Sequence, residues 1–262
     1  GIISIPAVIL CFVLILTFNR EKSIRAAESR EKRLDKIKRI NRVQQADEIS
    51  FSFNVNRQSG RDVLSVDLLS KAFDDNSLFK NISFNIHLGD RVAIIGPNGC
   101  GKSTLFNIIL GKLPPSSGSV KLGAGIEIGY YDQELTSLNA QNTVVEELWD
   151  SFPQMTETEI RNALAARLFR GDDVYKSISS LSGGEKAHLL LTKLVLSKNN
   201  FLLLDEPTNN LDMSSREELE RALLEYPGTI LMVSHDRYFL NKIVDRIIVM
   251  ESGDITEYLG NY

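Results

Sequence analysis

Nine consecutive residues, Gly96 to Thr104 (GPNGCGKST), carry the clearest chemistry in this 262-residue sequence. Gly96, Gly99 and Gly101 permit tight turns that aim successive backbone N–H groups at one point, a nest for anionic oxygens. The loop follows the apolar run Val92–Ile95 and opens the helical run LFNIILG, whose N-terminus adds partial positive charge. Strand, glycine-rich loop, Lys-Ser and helix in this order read as a cradle for nucleotide phosphates. Lys102 is placed to bridge the β- and γ-phosphates, and the Ser103 hydroxyl to coordinate Mg2+. Pro97, Asn98, Cys100 and Thr104 complete the loop, with Cys100 either a small space-filler or an alkylation-sensitive thiol.

A second constellation is FLLLDEPTNNLD, Phe201 to Asp212. Four apolar residues predict a buried strand with Asp205 at its C-terminal end, where open α/β sheets hold ligands. Asp205 would hold Mg2+ directly or through water, and Glu206 would polarise a water that attacks the γ-phosphate. Two adjacent acids after a strand also suit a plain turn with a helix cap. About twenty residues earlier, LSGGEK (Leu181 to Lys186) precedes the apolar helical run AHLLLTKLVL. Ser182, Gly183 and Gly184 at a helix start make another anion site, and Ser182 with Glu185 three residues on equally suits an ordinary capping box.

These residues need elements to position them. Period-two patterns predict strands at 49–54, 63–68, 82–86, 91–95, 126–131, 201–205, 229–233 and 246–251. Helical patterns fall at 103–110, 143–150, 157–169, 183–197, 214–224 and 236–243. Short strands come first and strands alternating with helices follow, which predicts a small antiparallel subdomain joined to a parallel α/β core.

Two segments stand apart from this plan. Residues 1–18 are apolar and uncharged. They suit a membrane anchor, a buried helix or a foreign N-terminus, and lack the charged start and cleavage site of a secretory signal. Residues 20–45 read as a charged helix with a thin apolar stripe at Ile24, Ala27, Leu34, Ile37 and Ile40. Within 20–42, ten basic residues face four acidic ones, a net of +6, and the remainder, 20 basic against 30 acidic, sits at −10. Such a basic segment suits either a polyanionic partner or a solvated helix face. Two cysteines, Cys11 and Cys100, build no disulfide framework and fit a reducing compartment. The chain begins at Gly1 rather than Met, which suggests a fragment. The domains expected are a leader at 1–19, a charged helix at 20–46 and one nucleotide-binding domain at 47–262.

The phosphate loop, LSGGEK and DEPTNNLD in this order resemble the ABC ATPases over residues 49–262. The resemblance implies an α/β P-loop domain with a parallel-sheet core, an antiparallel β subdomain and an α-helical subdomain. It implies ATP and Mg2+ as ligands, and a second ABC domain that completes the site. Each ATP would lie between one domain's loop and the other's Ser182, Gly183, Gly184 and Glu185. Gln133, in YYDQ, matches the residue that senses Mg2+, and His235, in SHDRYFL, matches the switch histidine at the γ-phosphate; alone, each suits an ordinary surface or structural residue. Asp212 matches the loop that crosses to the partner site. Phe73 lies where an aromatic stacks on adenine, although a core phenylalanine is an equal reading beside Phe79 and Phe84.

Glu185 replaces the Gln usual in transporter ATPases, and RNALAARLFRGDDVYKSISSLSGGEKAHLLL, DEPTNNLD and YLGNY resemble the ABC-F group. That resemblance implies a cytoplasmic translation factor with two ATPase domains joined by a charged linker, of which residues 19–40 resemble the second half. It implies a ribosome or rRNA partner, some members protecting ribosomes from antibiotics and others relieving stalling. The ATPase subunit of a membrane transporter is the alternative. Asn210 stands where His is common and His188 where Arg is common, and the apolar leader does not match a hydrophilic linker.

Overall fold

A computed structural model describes residues 51–260, apart from Asp75 and Thr136. The leader and the charged helix lie outside the described residues. Strand β1 (Asp62–Phe73) and β2 (Asn76–His87) form an antiparallel pair, followed by β3 (Arg91–Ile95), helix α1 (Lys102–Ile109), β4 (Ser117–Leu122) and β5 (Ile128–Tyr131). Helices α2 (Val144–Ser151), α3 (Glu157–Ala165) and α4 (Gly183–Ser197) follow, then β6 (Phe201–Asp205), α5 (Met213–Glu225), β7 (Thr229–Val233), α6 (Arg237–Ile243), β8 (Arg246–Glu251) and β9 (Asp254–Leu259).

The strands make two sheets. The smaller is antiparallel with order β2-β1-β4, and the larger has order β5-β6-β7-β3-β8-β9, parallel except for β9 at its edge. This is the α/β P-loop architecture with an antiparallel subdomain. Buried parallel strands carry continuous apolar runs, and alternation assigns their side chains to two cores. Val92, Ile94, Phe201, Leu203, Leu231, Val233, Ile248 and Met250 face α1 and the β1–β2 sheet. Ala93, Leu202, Leu204, Ile230, Met232 and Ile247 face α2 to α6.

The helices start where side chains relieve unpaired N–H groups. Thr143, Thr156 and Ser182 each cap α2, α3 and α4 with a glutamate three residues on closing a capping box. Loss of such a cap costs about 1 kcal/mol.

Four expectations change. Residues 51–55 form no strand. Phe51 and Phe53 are buried and their neighbours Ser52 and Asn54 exposed, so the period-two pattern is real, but the segment packs as an extended coil. Its Phe51 stacks on His188 and its Phe53 meets Tyr226 edge-on. Strand β1 continues past residue 68 because Leu68, with φ of 45°, forms a bulge that resets the alternation. Strands β4 and β9 bury little side-chain surface and therefore carry no clear apolar alternation. Helix α3 stops at Ala165, not 169, and Leu168 adopts a φ of 76° just beyond it.

Candidate functional site

The C-terminal ends of β3, β5, β6 and β7 converge on one cleft of about 590 Å3. Open parallel sheets present ligand sites at this end. The cleft is lined by Phe73 and Leu78 at one side, the loop Asn98 to Thr104 except Cys100, and Gln133, Asp205, Glu206, Asn209, Val233 and His235. Gly96 and Pro97 instead line an adjoining cavity of about 350 Å3 that also touches His235. Cys100 is half-buried and lines neither. Ser182 to Glu185 and Asp212 lie outside the cleft as well.

Two glycines of the phosphate loop show why no other residue fits. A Cβ on Gly96 would fall 2.2 Å from the Met250 carbonyl oxygen, so β8 leaves no room for any larger residue. Gly101 has a φ of +105° and abuts the Phe79 ring, a conformation glycine alone adopts cheaply. From the first turn of α1, the Lys102 ammonium reaches back and donates to the carbonyls of Gly96 at 2.9 Å and Pro97 at 3.0 Å. Those two bonds hold a nearly buried cation at the rim of the cleft.

The two carboxylates sit in different surroundings. Asp205 ends β6, and burial pushes its carboxyl above the ordinary range, opposed by a hydrogen bond from the Ser103 hydroxyl. Glu206 is 6% exposed and has a φ of 49°, a left-handed conformation that is strained for a non-glycine residue. Its N–H donates to the Val233 carbonyl at 2.9 Å, which ties it to β7. One carboxylate oxygen accepts from the His235 N–H at 3.3 Å, and the other, Oε1, is buried without a hydrogen-bond partner. The His235 imidazole stands 3.6 Å from that oxygen. Burial raises the Glu206 carboxyl, while His235 opposes the shift. A buried, unpartnered acceptor held by strained backbone at a cleft wall has the features of a functional group.

The residues present fit a nucleotide and a hard cation. Among the described residues no group of three His, Cys, Asp or Glu side chains could hold a metal by itself. The oxygen donors of Ser103, Gln133 and Asp205 suit Mg2+ completed by phosphate oxygens. Phe73 is 47% exposed, so it is a cleft-side ring and not a core residue, with the Lys71 ammonium 4.7 Å from its centre. Sequence reasoning missed Leu78, Asn209 and Val233. Asn209 stood inside a recognised motif, whereas Leu78 and Val233 reach the cleft only through tertiary packing.

The LSGGEK segment, the signature of the ABC ATPases it resembles, folds locally as its capping pattern predicts. The Ser182 hydroxyl and N–H both donate to Glu185 Oε2 at 2.8 Å, and Lys176 stands 3.5 Å from the other oxygen. Glu185 is therefore engaged within its own domain. No helix among the described residues is long and apolar enough to cross a membrane.

Comparison with known proteins places this geometry. The family model described as ABC transporter matches residues 79–209. The chain is 45% identical over 245 residues to the putative ATP-binding protein YdiF of Bacillus subtilis, covering 93% of this chain and 38% of the relative. It is 39% identical to ABC transporter F family member 5 of Arabidopsis thaliana, covering 90% and 35%. It is also 39% identical to the ribosome protection protein VmlR of Bacillus subtilis, covering 81% and 39%. The chain thus spans little more than a third of the length of these curated relatives. A dimeric ATP-binding cassette, MJ0796, solved with ADP and Pi, superimposes with a TM-score of 0.64 at 22% identity, over 75% of this chain and 98% of that one. The cleft, its loop and its family match agree: the chain belongs to the ABC transporter family and carries that family's ATP-binding domain.

Proposed function

We propose that this chain is one of two ATP-binding halves of an ABC-F-type ATPase that acts on the ribosome. The observation that carries the ATPase reading is the division of the motifs. Lys102, Ser103, Gln133, Asp205, Glu206 and His235 share one cleft, and Ser182 to Glu185 lie outside it. A domain so built holds one ATP with its loop and offers its signature to another. The missing half would be a second ABC domain, supplied by the rest of the same polypeptide, and the relatives' greater length supports that assignment.

In this reading the loop amides and Lys102 hold the triphosphate, and Phe73 stacks on adenine. Ser103, Asp205 and Gln133 would hold Mg2+, which when bound neutralises charge on the β- and γ-phosphates. Glu206 Oε1, buried and unpartnered, orients the attacking water and accepts its proton. Lys102 and His235 face the charge that spreads onto the γ-phosphate oxygens. The partner's Ser182, Gly183 and Gly184 equivalents close the far side, as this chain's own close the partner's. Phe73→Ala is expected to weaken ATP binding by about 1–3 kcal/mol, the usual worth of base–aromatic stacking. Fluorescence titration should show that loss for ATP and no change for inorganic triphosphate.

The ribosomal part rests on similarity to VmlR and on the +6 charge of residues 20–42, which suits rRNA phosphates. Both support a cytoplasmic factor of translation, with antibiotic protection or stall relief as its output. The intact protein carrying Glu206→Gln should pellet with ribosomes in the presence of ATP, and added salt should release it. Absence from the ribosomal pellet, with a permease copurifying instead, would replace this reading by that of a transporter ATPase.

A further inference from the structure

A buried polar chain outside the ATP cleft joins two motifs that are distant in sequence. Helix α4 begins in the signature at Gly183 and carries His188 in its second turn. The loop that starts at Glu206 ends at Asp212, the N-cap of α5, with Ser215 in that helix's first turn. His188 Nε2 lies 3.0 Å from the Ser215 hydroxyl oxygen, which in turn hydrogen-bonds Asp212 Oδ1. Ser215 is wholly buried and His188 nearly so.

Donor and acceptor inventories set the direction of this chain. An ionised carboxylate only accepts, so the Ser215 hydroxyl donates its hydrogen bond to Asp212. Its oxygen is then left to accept from His188 Nε2–H, and the imidazole must be the Nε2–H tautomer with Nδ1 a bare acceptor. That Nδ1 is buried without a partner. Hydrogen bonds from the Ser215 hydroxyl and N–H and from Ser214 hold the Asp212 carboxyl below the ordinary range. Burial lowers the His188 imidazole, Asp212 opposing and Arg167 reinforcing, which keeps the ring neutral.

A second contact joins the same two segments. A Cβ on Gly183 would lie 3.3 Å from Asn210 Oδ1, and one on Gly184 would lie 3.2 Å from the Asn210 carbonyl oxygen. Asn210, with a φ of 65°, therefore packs its side chain and its backbone against the signature glycines. The loop from Glu206 to Asp212 thus touches the start of α4 at its first residues, and one turn later Ser215, bonded to Asp212, links it to His188.

We propose that His188 and Ser215 are positioning residues that lock the start of α4 to the Glu206–Asp212 loop, so the signature offered to one ATP moves with the glutamate serving the other. This rests on the reading that Glu206 and the signature act on different nucleotides. Neither residue touches the cleft, so each acts only through the segments it holds.

The test combines hydrogen exchange and steady-state hydrolysis on the intact protein. His188→Ala and Ser215→Ala should each speed amide exchange in both 182–188 and 206–212, by up to about tenfold for one lost hydrogen bond. The same variants should lower kcat with ATP affinity unchanged, because the cleft residues keep their places. The double variant should do no more than the worse single one, since both break one relay. His188→Gln, which returns an N–H donor, should restore protection in both segments. Faster exchange in only one segment, additive effects, or no restoration by Gln while the alanine variants lose protection everywhere would overturn the proposal. A wild-type protein without hydrolysis would sink the ATPase reading instead and leave the exchange experiment standing.

Discussion

Glu206→Gln is expected to lower kcat for ATP hydrolysis by at least about a hundredfold, the usual contribution of a positioned general base, while ATP still binds. The substitution keeps the shape and the hydrogen bond accepted from the His235 N–H, and removes only the basic oxygen that lies buried and unpartnered. In the proposed mode of binding the loop and Lys102 hold the triphosphate, so affinity should be untouched. The variant should therefore trap ATP, seen as nucleotide retained through gel filtration. Hydrolysis at the wild-type rate would remove Glu206 from its role.

The same burial gives a pH signature with a definite sign. The folded Glu206 carboxyl titrates above its ordinary value because its charged form is poorly solvated. As pH falls through that raised value the base protonates and hydrolysis should be lost, so the acid limb of kcat/KM lies above the normal glutamate range. Stability runs the other way. A raised folded-state value means that the unfolded chain releases its proton first, so rising pH across this window favours unfolding. Glu206→Gln removes that cost and should raise Tm at neutral pH, measured without nucleotide. Relief of the strained φ of 49° does not enter, since glutamine keeps the same backbone. An unchanged or lower Tm would mean that the carboxylate is better solvated than its burial implies.

What the sequence revealed and what it hid divide by distance along the chain. Gly96 to Thr104 was legible because strand, loop, Lys102 and helix are contiguous, and the glycines that shape the loop lie within it. The β6, β7 and β8 strands were legible because buried parallel strands advertise themselves as unbroken apolar runs. Strand β1 was read only to residue 68 because the Leu68 bulge breaks the alternation on which the reading depends. Strands β4 and β9 sit at edges where little burial imposes a pattern. Phe51 and Phe53 alternate as a strand would, yet what buries them is packing against other elements, including the His188 ring. Phe73 could not be assigned to core or cleft from its neighbours, since that depends on where β1 ends against the loop. The His188–Ser215–Asp212 chain was hidden for the same reason, because its first two members are 27 residues apart and meet only once α4 and α5 have packed. His188 stands where arginine is common, and its burial against Ser215 gives it a place.

Lys102→Ala should produce the opposite kinetic division, with ATP affinity falling first. A hydrogen bond to a charged group contributes about 1.5–3 kcal/mol, so losing the lysine's contact with the phosphates predicts a rise in Kd of roughly 10- to 150-fold. The structure shows why no neighbour replaces it. Apart from His235, Lys102 is the only basic residue lining the cleft among the described residues. Its ammonium is already held at the loop by the Gly96 and Pro97 carbonyls, so little ordering is required when phosphate arrives. Removing it also deprives the Gly96 carbonyl of its lysine donor, while the Pro97 carbonyl keeps the Cys100 N–H at 3.3 Å. Lys102→Arg keeps the charge but carries a larger planar head that cannot occupy the same position between the two carbonyls, and should recover only part of the affinity. Equilibrium titration with ATP, and with ADP as a control for the γ-phosphate, measures both variants. A Kd for ATP unchanged by Lys102→Ala would show that the loop amides alone hold the triphosphate, and would move the lysine's contribution from binding to the charge that develops during hydrolysis.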